Sequence, residues 1–265
     1  MPRIPIFQVD AFTDELFRGN PAAVCLLEAW LPTAVMQQIA AENFLPETAF
    51  FIPAGKPGHY ELRWFTPEIE MDLCGHATLA TAHVLFSHMG WDMRQIVFQT
   101  QSGILTVTRH NDMLMLDFPS RPATAASLPP EILRGMGAYP MEVLKARDYV
   151  LVYHDEDIVR NLRPDQAILN QINLDPGGII ATAKGRTVDF VSRFFTPQAS
   201  IFEDPVTGSA HCSLIPFWSR QLEKKQLTAL QVSPRAGKLY CEDMGDRVLI
   251  GGSCRTFLEG NILIP

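Results

Sequence analysis

The sequence repeats one segment in each half, and this repeat limits the folds that the chain can adopt. Residues 63–78 read RWFTPEIEMDLCGHAT, and residues 193–210 read RFFTPQASIFEDPVTGSA. Both run from an arginine and aromatic residues through Thr-Pro to a glycine that opens an apolar, helix-like stretch. Phe-Thr-Pro recurs after 130 residues and the glycine after 133, so the second copy has three extra residues, which we place in IFEDP around Asp204. We therefore predict a tandem duplication.

The hydrophobic pattern around each copy predicts mixed α and β structure. Apolar runs such as IPIFQVDAF, AAVCLLE, ETAFFIP and VDFVSRFFTP are typical of strands, and Gly19-Asn20-Pro21 is typical of a turn between two of them. LPTAVMQQIAAENF, DLCGHATLATAHVLFSHMG and TGSAHCSLIPFWSRQL have helical periodicity. We predict an α+β fold of two similar domains, residues 1–119 and 120–265, with a ligand-binding cleft between them.

Composition excludes several classes of function. The net charge is −7 and the basic residues are scattered, which argues against a nucleic-acid partner. No leader pattern and no apolar segment of membrane-spanning length occurs, so we expect a soluble, cytoplasmic protein with no membrane partner. The five cysteines are odd in number and contain no C-x-x-C pair, which argues against disulfides and zinc knuckles.

Each half places a glycine, Gly75 or Gly208, in the first turn of its central helix. Free backbone N–H groups and the helix dipole favour an anion there, and glycine lets a carboxylate come close. Either glycine alone is better explained by tight packing of helix on sheet. Because both occupy matching positions, we predict that they bind a small carboxylate-bearing substrate.

Two carboxylates are candidate catalytic groups. Glu47 begins an apolar strand, where partial burial would raise its pKa toward that of a proton carrier, although it could equally be an exposed charge at the edge of a strand. Asp204 precedes Pro-x-Thr-Gly, a pattern that also suits a turn or a helix cap. Its place at the predicted insertion favours a functional interpretation.

Cys74 and His76 flank Gly75 and suggest other chemistry. At the positive end of a helix we expect His76 to be neutral, able to donate or accept one proton. The two side chains could begin a metal site, but no further Cys or His cluster supplies the remaining ligands, so no metal is predicted. Cys74 corresponds to Thr207 in the second copy, which disfavours a racemase that uses two thiols.

Four motifs together resemble those of the PhzF-like phenazine biosynthesis proteins, in the same order along the chain. They are FQVDAFT with GNPAAV, then ETAFF, CGHATLATA and FEDPVTGSAH. These belong to the diaminopimelate epimerase fold superfamily. The resemblance covers essentially the whole chain. It implies two domains, each a curved, mostly antiparallel sheet around a central helix, usually in a homodimer, with no metal or organic cofactor.

The resemblance also implies roles for individual residues. A glutamate in the motif matched by Glu47 shuttles a proton during isomerisation of a dihydro-hydroxyanthranilate in the phenazine enzyme. His76, Asp204 and Ser209 would line the site, and Gly75 and Gly208 would present amides to the substrate carboxylate. Family members often have serine before the glutamate, whereas this chain has Pro46, which removes a hydroxyl and an N–H donor.

Three hypotheses of function follow. The leading one is a cofactor-independent isomerase that uses Glu47 as acid and base, while His76 and Asp204 orient or polarise the substrate. The second is an epimerase or dehydratase that depends on Cys74. The third is a small-acid-binding protein without catalysis.

Overall fold

The computed structural model describes residues 3–174 and 177–264. The elements of the first half are β1 (Arg3–Ala11), β2 (Asn20–Leu26), α1 (Thr33–Asn43), β3 (Glu47–Pro53), β4 (His59–Phe65), β5 (Glu70–Met71), α2 (Gly75–Ser87), β6 (Gln95–Thr100), β7 (Gly103–His110) and β8 (Met113–Pro119). Those of the second half are β9 (Thr124–Ala125), α3 (Pro130–Met136), β10 (Glu142–Lys145), β11 (Tyr149–Val152), α4 (Glu156–Asn161), α5 (Gln166–Leu169), β12 (Ile179–Lys184), β13 (Phe190–Phe195), β14 (Glu203–Asp204), α6 (Gly208–Leu222), β15 (Gln226–Gln231), β16 (Gly237–Asp243), β17 (Arg247–Gly252) and β18 (Cys254–Leu263).

The chain divides into two compact units that differ from the predicted domains at the C-terminal end. The first unit combines Met1–Phe118 with Ile250–Pro265, and the second is Pro119–Leu249. The sequence-based division assigned everything after residue 119 to the second domain. The structure instead pairs β18 with β1 along its length, in antiparallel register, so the last strand completes the sheet of the first unit.

In the first unit the paired strands run in the order β18, β1, β2, β3, β4, β6, β7 and β8. The β2–β3 and β4–β6 pairs are parallel, and the chain crosses between their strands through α1 and α2 respectively. The other pairs are antiparallel. Parallel neighbours require a crossover of this kind, which explains why each helix follows a strand of the sheet.

The second unit repeats this pattern. Its paired strands run in the order β9, β10, β11, β12, β13, β15 and β16. The two parallel pairs are β11–β12, crossed through α4 and α5, and β13–β15, crossed through α6. The same succession of parallel and antiparallel pairs in both units is the structural counterpart of the sequence repeat.

Strand register corrects the predicted position of the insertion. In the first unit Trp64 pairs with Met71, and at the matching place in the second unit Phe194 pairs with Asp204. Asp204 therefore occupies the position of Met71 and does not lie within the inserted residues. From these positions to the helix glycine the two copies have equal length.

The three extra residues lie in the preceding turn. In the first unit the backbone N–H of Thr66 donates to the carbonyl of Ile69 over 2.9 Å, which closes a tight turn. In the second unit the N–H of Thr196 donates to the carbonyl of Phe202 over 2.8 Å, across a longer loop. A surface turn tolerates such an addition at little energetic cost, whereas the paired strands after it do not.

Each of these turns is closed by the same ion pair. Arg63 donates through two nitrogens to the two oxygens of Glu70, both at 2.7 Å, and Arg193 does so to Glu203 at 2.7 and 2.8 Å. Each guanidinium also lies over the ring of the phenylalanine two residues further along its strand, 5.3 Å from the centroid in the first unit and 4.9 Å in the second. These bidentate contacts fix β5 and β14 directly before the two central helices.

The central helices are buried on nearly all sides. Eleven of the 13 residues of α2 are buried, and small side chains such as Ala77 and Ala80 allow the surrounding strands to approach closely. In α6, ten of 15 residues are buried, and Pro216 lies inside the helix without delaying its start at Gly208. Within residues 3–174 and 177–264, the structure contains no helix with the length and hydrophobicity needed to cross a membrane.

Candidate active site

The helix α2 begins at Gly75, as the sequence predicts. Gly75 is the first helical residue, and Cys74 before it has an extended backbone and makes no side-chain cap. The first N–H groups of a helix have no acceptor within the helix. The Thr78 hydroxyl instead donates back to the carbonyl of Cys74, which fixes the peptide that leads into Gly75.

Glu47 and His76 meet beside this helix start. One oxygen of the Glu47 carboxylate lies 3.0 Å from Nε2 of His76, and the two side chains are 15% and 4% exposed. The two atoms are close enough for a hydrogen bond but are not oriented for one, so the contact is an ion pair. The strand β3 and the helix α2 thus bring together two residues that the sequence singled out separately.

The charge of His76 differs from the predicted one. Burial acts to lower the pKa of His76, but Cys74 and Glu47 raise it, and the net pKa lies well above the ordinary 6.5. Burial raises the pKa of the Cys74 thiol to about 11, so near neutral pH the neighbouring charge that raises the pKa of His76 is that of Glu47. The prediction of a neutral His76 considered the helix dipole alone, and the nearby carboxylate outweighs that dipole.

Asn20 is a third member of this cluster that the sequence analysis did not assign. Its side-chain Nδ2 lies 3.0 Å from Nδ1 of His76, and both residues are buried. Asn20 and Pro21, predicted as part of a turn, are the first two residues of β2. The GNPAAV motif includes Asn20, but nothing in the local sequence pattern indicated a contact with His76, 56 positions away.

Glu47, Cys74 and His76 also offer the atom types that zinc binds, and their ligand atoms lie within 4.8 Å of one another. Their arrangement does not favour one ion. The Cys74 sulfur lies 3.7 Å from Nδ1 of His76, whereas Glu47 faces Nε2 of the same ring. Because the imidazole stands between the thiol and the carboxylate, the ring would have to turn before all three could bind a single metal.

The second unit builds a different polar network at the start of α6. Gly208 is the first helical residue and Ser209 the second, and the Asp204 carboxylate accepts a hydrogen bond from the Thr207 hydroxyl. Gln231 fixes both: its side-chain oxygen accepts from the Thr207 N–H over 2.8 Å, and its side-chain nitrogen donates to the Asp204 carbonyl over 2.8 Å. Gln231 is fully buried on β15 and was not among the predicted residues.

The acid and base groups of the first unit are not duplicated. Thr48 pairs with Phe65 and Ile179 with Phe195, so the residue before Thr48 corresponds to the residue before Ile179. The counterparts of Glu47, Cys74 and His76 are, in that order, Gly178, Thr207 and Ser209. None of the three counterparts carries a group that exchanges protons readily near neutral pH.

Comparison with known proteins decides the family. The profile of the phenazine biosynthesis-like proteins, PhzC-PhzF, matches residues 9–260. The chain belongs to this family. The predicted resemblance to the PhzF-like proteins is therefore confirmed.

Relatives in the PhzF family match over nearly the whole length. A Pseudomonas aeruginosa protein described as an uncharacterized isomerase is 47% identical over 259 residues, with 98% of each chain covered. The crystal structure of a PhzF family protein from Enterococcus faecalis is 48% identical, covers 99% of this chain and 100% of its own, and has a TM-score of 0.94. The chain is an isomerase by class, as predicted.

The fold extends beyond the PhzF family. A hydroxyproline epimerase from Agrobacterium vitis, solved with bound trans-4-hydroxy-L-proline, has a TM-score of 0.63 over 98% of this chain and 92% of its own. At 10% sequence identity this likeness concerns the fold alone. The predicted epimerase-like fold of two similar α+β domains is confirmed.

Proposed function

We propose that this protein moves a proton on carbon in a small, carboxylate-bearing substrate, with Glu47 as both general base and general acid. The observation that carries the proposal is the largely buried contact of Glu47 with His76, which lies in the first turn of α2. A carboxylate that works as a base must be ionised yet shielded from water. The contact with the His76 ring orients the Glu47 carboxylate at this largely buried position.

The proton transfer balances within these groups. Glu47 takes a proton from a substrate carbon, which leaves a neutral acid on the enzyme and an electron pair on the substrate. The same acid then returns the proton to carbon, at a different position in an isomerisation. The positive charge of His76 persists through the first step and stabilises the negative charge that the substrate gains.

The lack of duplicated acid and base groups supports a single proton carrier. A racemase that inverts carbon needs a second group on the opposite face of the substrate. The second unit has Gly178 and Thr207 where the first has Glu47 and Cys74. One group that both removes and returns the proton fits isomerisation better than inversion.

The remaining predicted residues bind or polarise the substrate in this proposal. The N–H groups at Gly75 and Gly208 hold carboxylate oxygens, and Ser209 donates a hydrogen bond. Asp204, held by Thr207, orients or polarises the substrate. That both helix starts serve one substrate, and that the protein is a cytoplasmic homodimer without cofactor or metal, stay predictions.

Glu47→Gln tests the proposal, because it removes the proton carrier and keeps the shape of the side chain. A dihydro-hydroxyanthranilate and hydroxyproline are incubated with each protein in D₂O, and deuterium on substrate carbon is measured by NMR. We expect exchange by the wild type and none by Glu47→Gln, with unchanged circular dichroism. Glu42→Gln, at an exposed position on α1, is the matched control and keeps full exchange. Exchange in Glu47→Gln at the wild-type rate would exclude Glu47 as the carrier.

A further inference from the structure

We propose that Asn20 is a positioning residue for His76, one that holds the imidazole ring with Nε2 toward Glu47 and, when the ring is neutral, selects the nitrogen that carries its proton. This inference rests on the proposed function for its effect on turnover, but its geometry is independent of that function. Asn20 itself is not proposed to touch the substrate.

The backbone around Asn20 is constrained, which fixes the point from which its side chain reaches toward His76. Asn20 pairs with Ala11 in the β1–β2 register and is completely buried. Gly19 before it has a positive φ of 65°, and a Cβ at that position would lie 2.1 Å from the Ala11 carbonyl oxygen. Pro21 after it fixes its own φ and, by its ring, limits the backbone of Asn20. The amide therefore approaches His76 from a defined direction.

Both nitrogens of the His76 ring are engaged, on opposite sides. Nδ1 faces the Asn20 amide at 3.0 Å, and Nε2 faces the Glu47 carboxylate at 3.0 Å. The Cys74 sulfur, a second titratable group beside this ring, is also near Nδ1, at 3.7 Å. A ring held at both ends cannot rotate without losing one of these contacts.

A neutral amide suits a histidine that changes its charge. When the Asn20 NH₂ group donates to Nδ1, the single proton of a neutral ring must sit on Nε2, the atom that faces Glu47. When the ring is an imidazolium, the amide can turn to present its oxygen, and Nδ1 then donates to it. Asn20 therefore provides a hydrogen bond to His76 in either state and adds no charge of its own.

This neutrality matters for the cycle proposed above. While Glu47 carries the substrate proton it is uncharged, and the positive charge of His76 is then balanced by the substrate alone. A carboxylate in place of Asn20 would balance that charge instead and weaken its pull on the substrate. The asparagine leaves the full charge of the imidazolium available at Nε2.

The test is the ¹⁵N NMR spectrum of the His76 imidazole, titrated between pH 5 and 10 in the intact protein. Asn20→Asp keeps the shape and adds a charge, so we expect its His76 ring to stay doubly protonated to higher pH than in the wild type. Asn20→Ala removes the partner of Nδ1, so we expect a larger share of the tautomer with its proton on Nδ1. Asn43→Ala, which breaks the side-chain bond to Thr48 in the same unit, is the matched control with wild-type His76 signals.

Turnover gives the second readout. A misplaced ring costs about 100-fold in rate for a shift of order 1 Å, so both Asn20 variants are expected to lose about that much kcat. The inference would be overturned if the His76 signals of Asn20→Asp and Asn20→Ala were identical to those of Asn43→Ala. If Asn20→Ala fails to fold, the signals of Asn20→Asp alone decide. Altered His76 signals together with normal exchange by Glu47→Gln would uphold the positioning by Asn20 and exclude the proposed function.

Discussion

Removing Arg193 is expected to destabilise the protein strongly, because the largely buried Glu203 carboxylate would lose its ion-pair partner. Its side chain is 8% exposed and makes the bidentate contact with Glu203, which is 16% exposed. The third nitrogen donates to the carbonyls of Val159 and Leu162 over 3.2 and 2.9 Å. Breaking a buried ion pair by removing one partner costs about 3–5 kcal/mol, since the other charge stays buried. We assign Arg193→Met a loss of this size.

The duplicated pair provides an internal comparison with the same geometry and a smaller expected cost. Arg63 and Glu70 are 22% and 19% exposed, so water reaches both. Without Arg63, the Glu70 carboxylate would still accept from the side-chain nitrogen of Gln101 over 2.8 Å, and Thr33 would lose one contact near the surface. The expected loss for Arg63→Met is about 1–2 kcal/mol, near the value of one charge-assisted hydrogen bond.

Urea denaturation, monitored by far-UV circular dichroism, measures the decrease in the free energy of unfolding for both variants. Trp218, the one tryptophan in the sequence of Pro119–Leu249, reports on the second unit by its fluorescence. The double variant Arg193→Met with Glu203→Met should recover much of the loss, because no charge is then left buried. An equal or larger loss for Arg63→Met than for Arg193→Met would refute the idea that burial sets the energy of these pairs.

Two further predictions concern the candidate site. The raised pKa of His76 stabilises the folded state fully below the unfolded pKa of about 6.5, and this stabilisation is lost as pH rises through the folded pKa. The difference in unfolding free energy between wild type and Glu47→Gln should therefore be largest near pH 6 and shrink toward pH 10 in urea titrations, and a constant difference would contradict the ion pair. Cys74→Ala should keep turnover within about threefold of wild type, because a buried thiol with a pKa of about 11 is a poor base at neutral pH; loss of turnover in a folded Cys74→Ala protein would favour the thiol-dependent epimerase or dehydratase.

The features that were predicted correctly depend on short-range signals. The start of α2 at Gly75 and the strand that begins at Glu47 follow from periodicity and from the residues at each boundary. The fold class follows from the repeat, because each copy has the same strands and helices around it. Such signals lie within a few residues of the feature that they predict.

The features that were missed depend on contacts between distant parts of the chain. The charge of His76 is set by Glu47 on another element, and its Nδ1 partner Asn20 is 56 positions away in sequence. The insertion was misplaced because only Phe-Thr-Pro and the glycine were used as anchors. Strand register, which cannot be read from a short motif, shows that Asp204 matches Met71.

The pairing of β18 with β1 has a consequence for how the protein forms during synthesis. Arg3 pairs with Leu263, so the sheet that carries Asn20 and Glu47 lacks this strand until β18 has been synthesised. The second unit is one continuous segment, Pro119–Leu249, and every residue that it needs is available earlier. Contacts of such large sequence separation close slowly. The first unit, although its synthesis begins before that of the second, thus becomes complete after it, and the proposed acid and base take their final surroundings only when β18 pairs with β1.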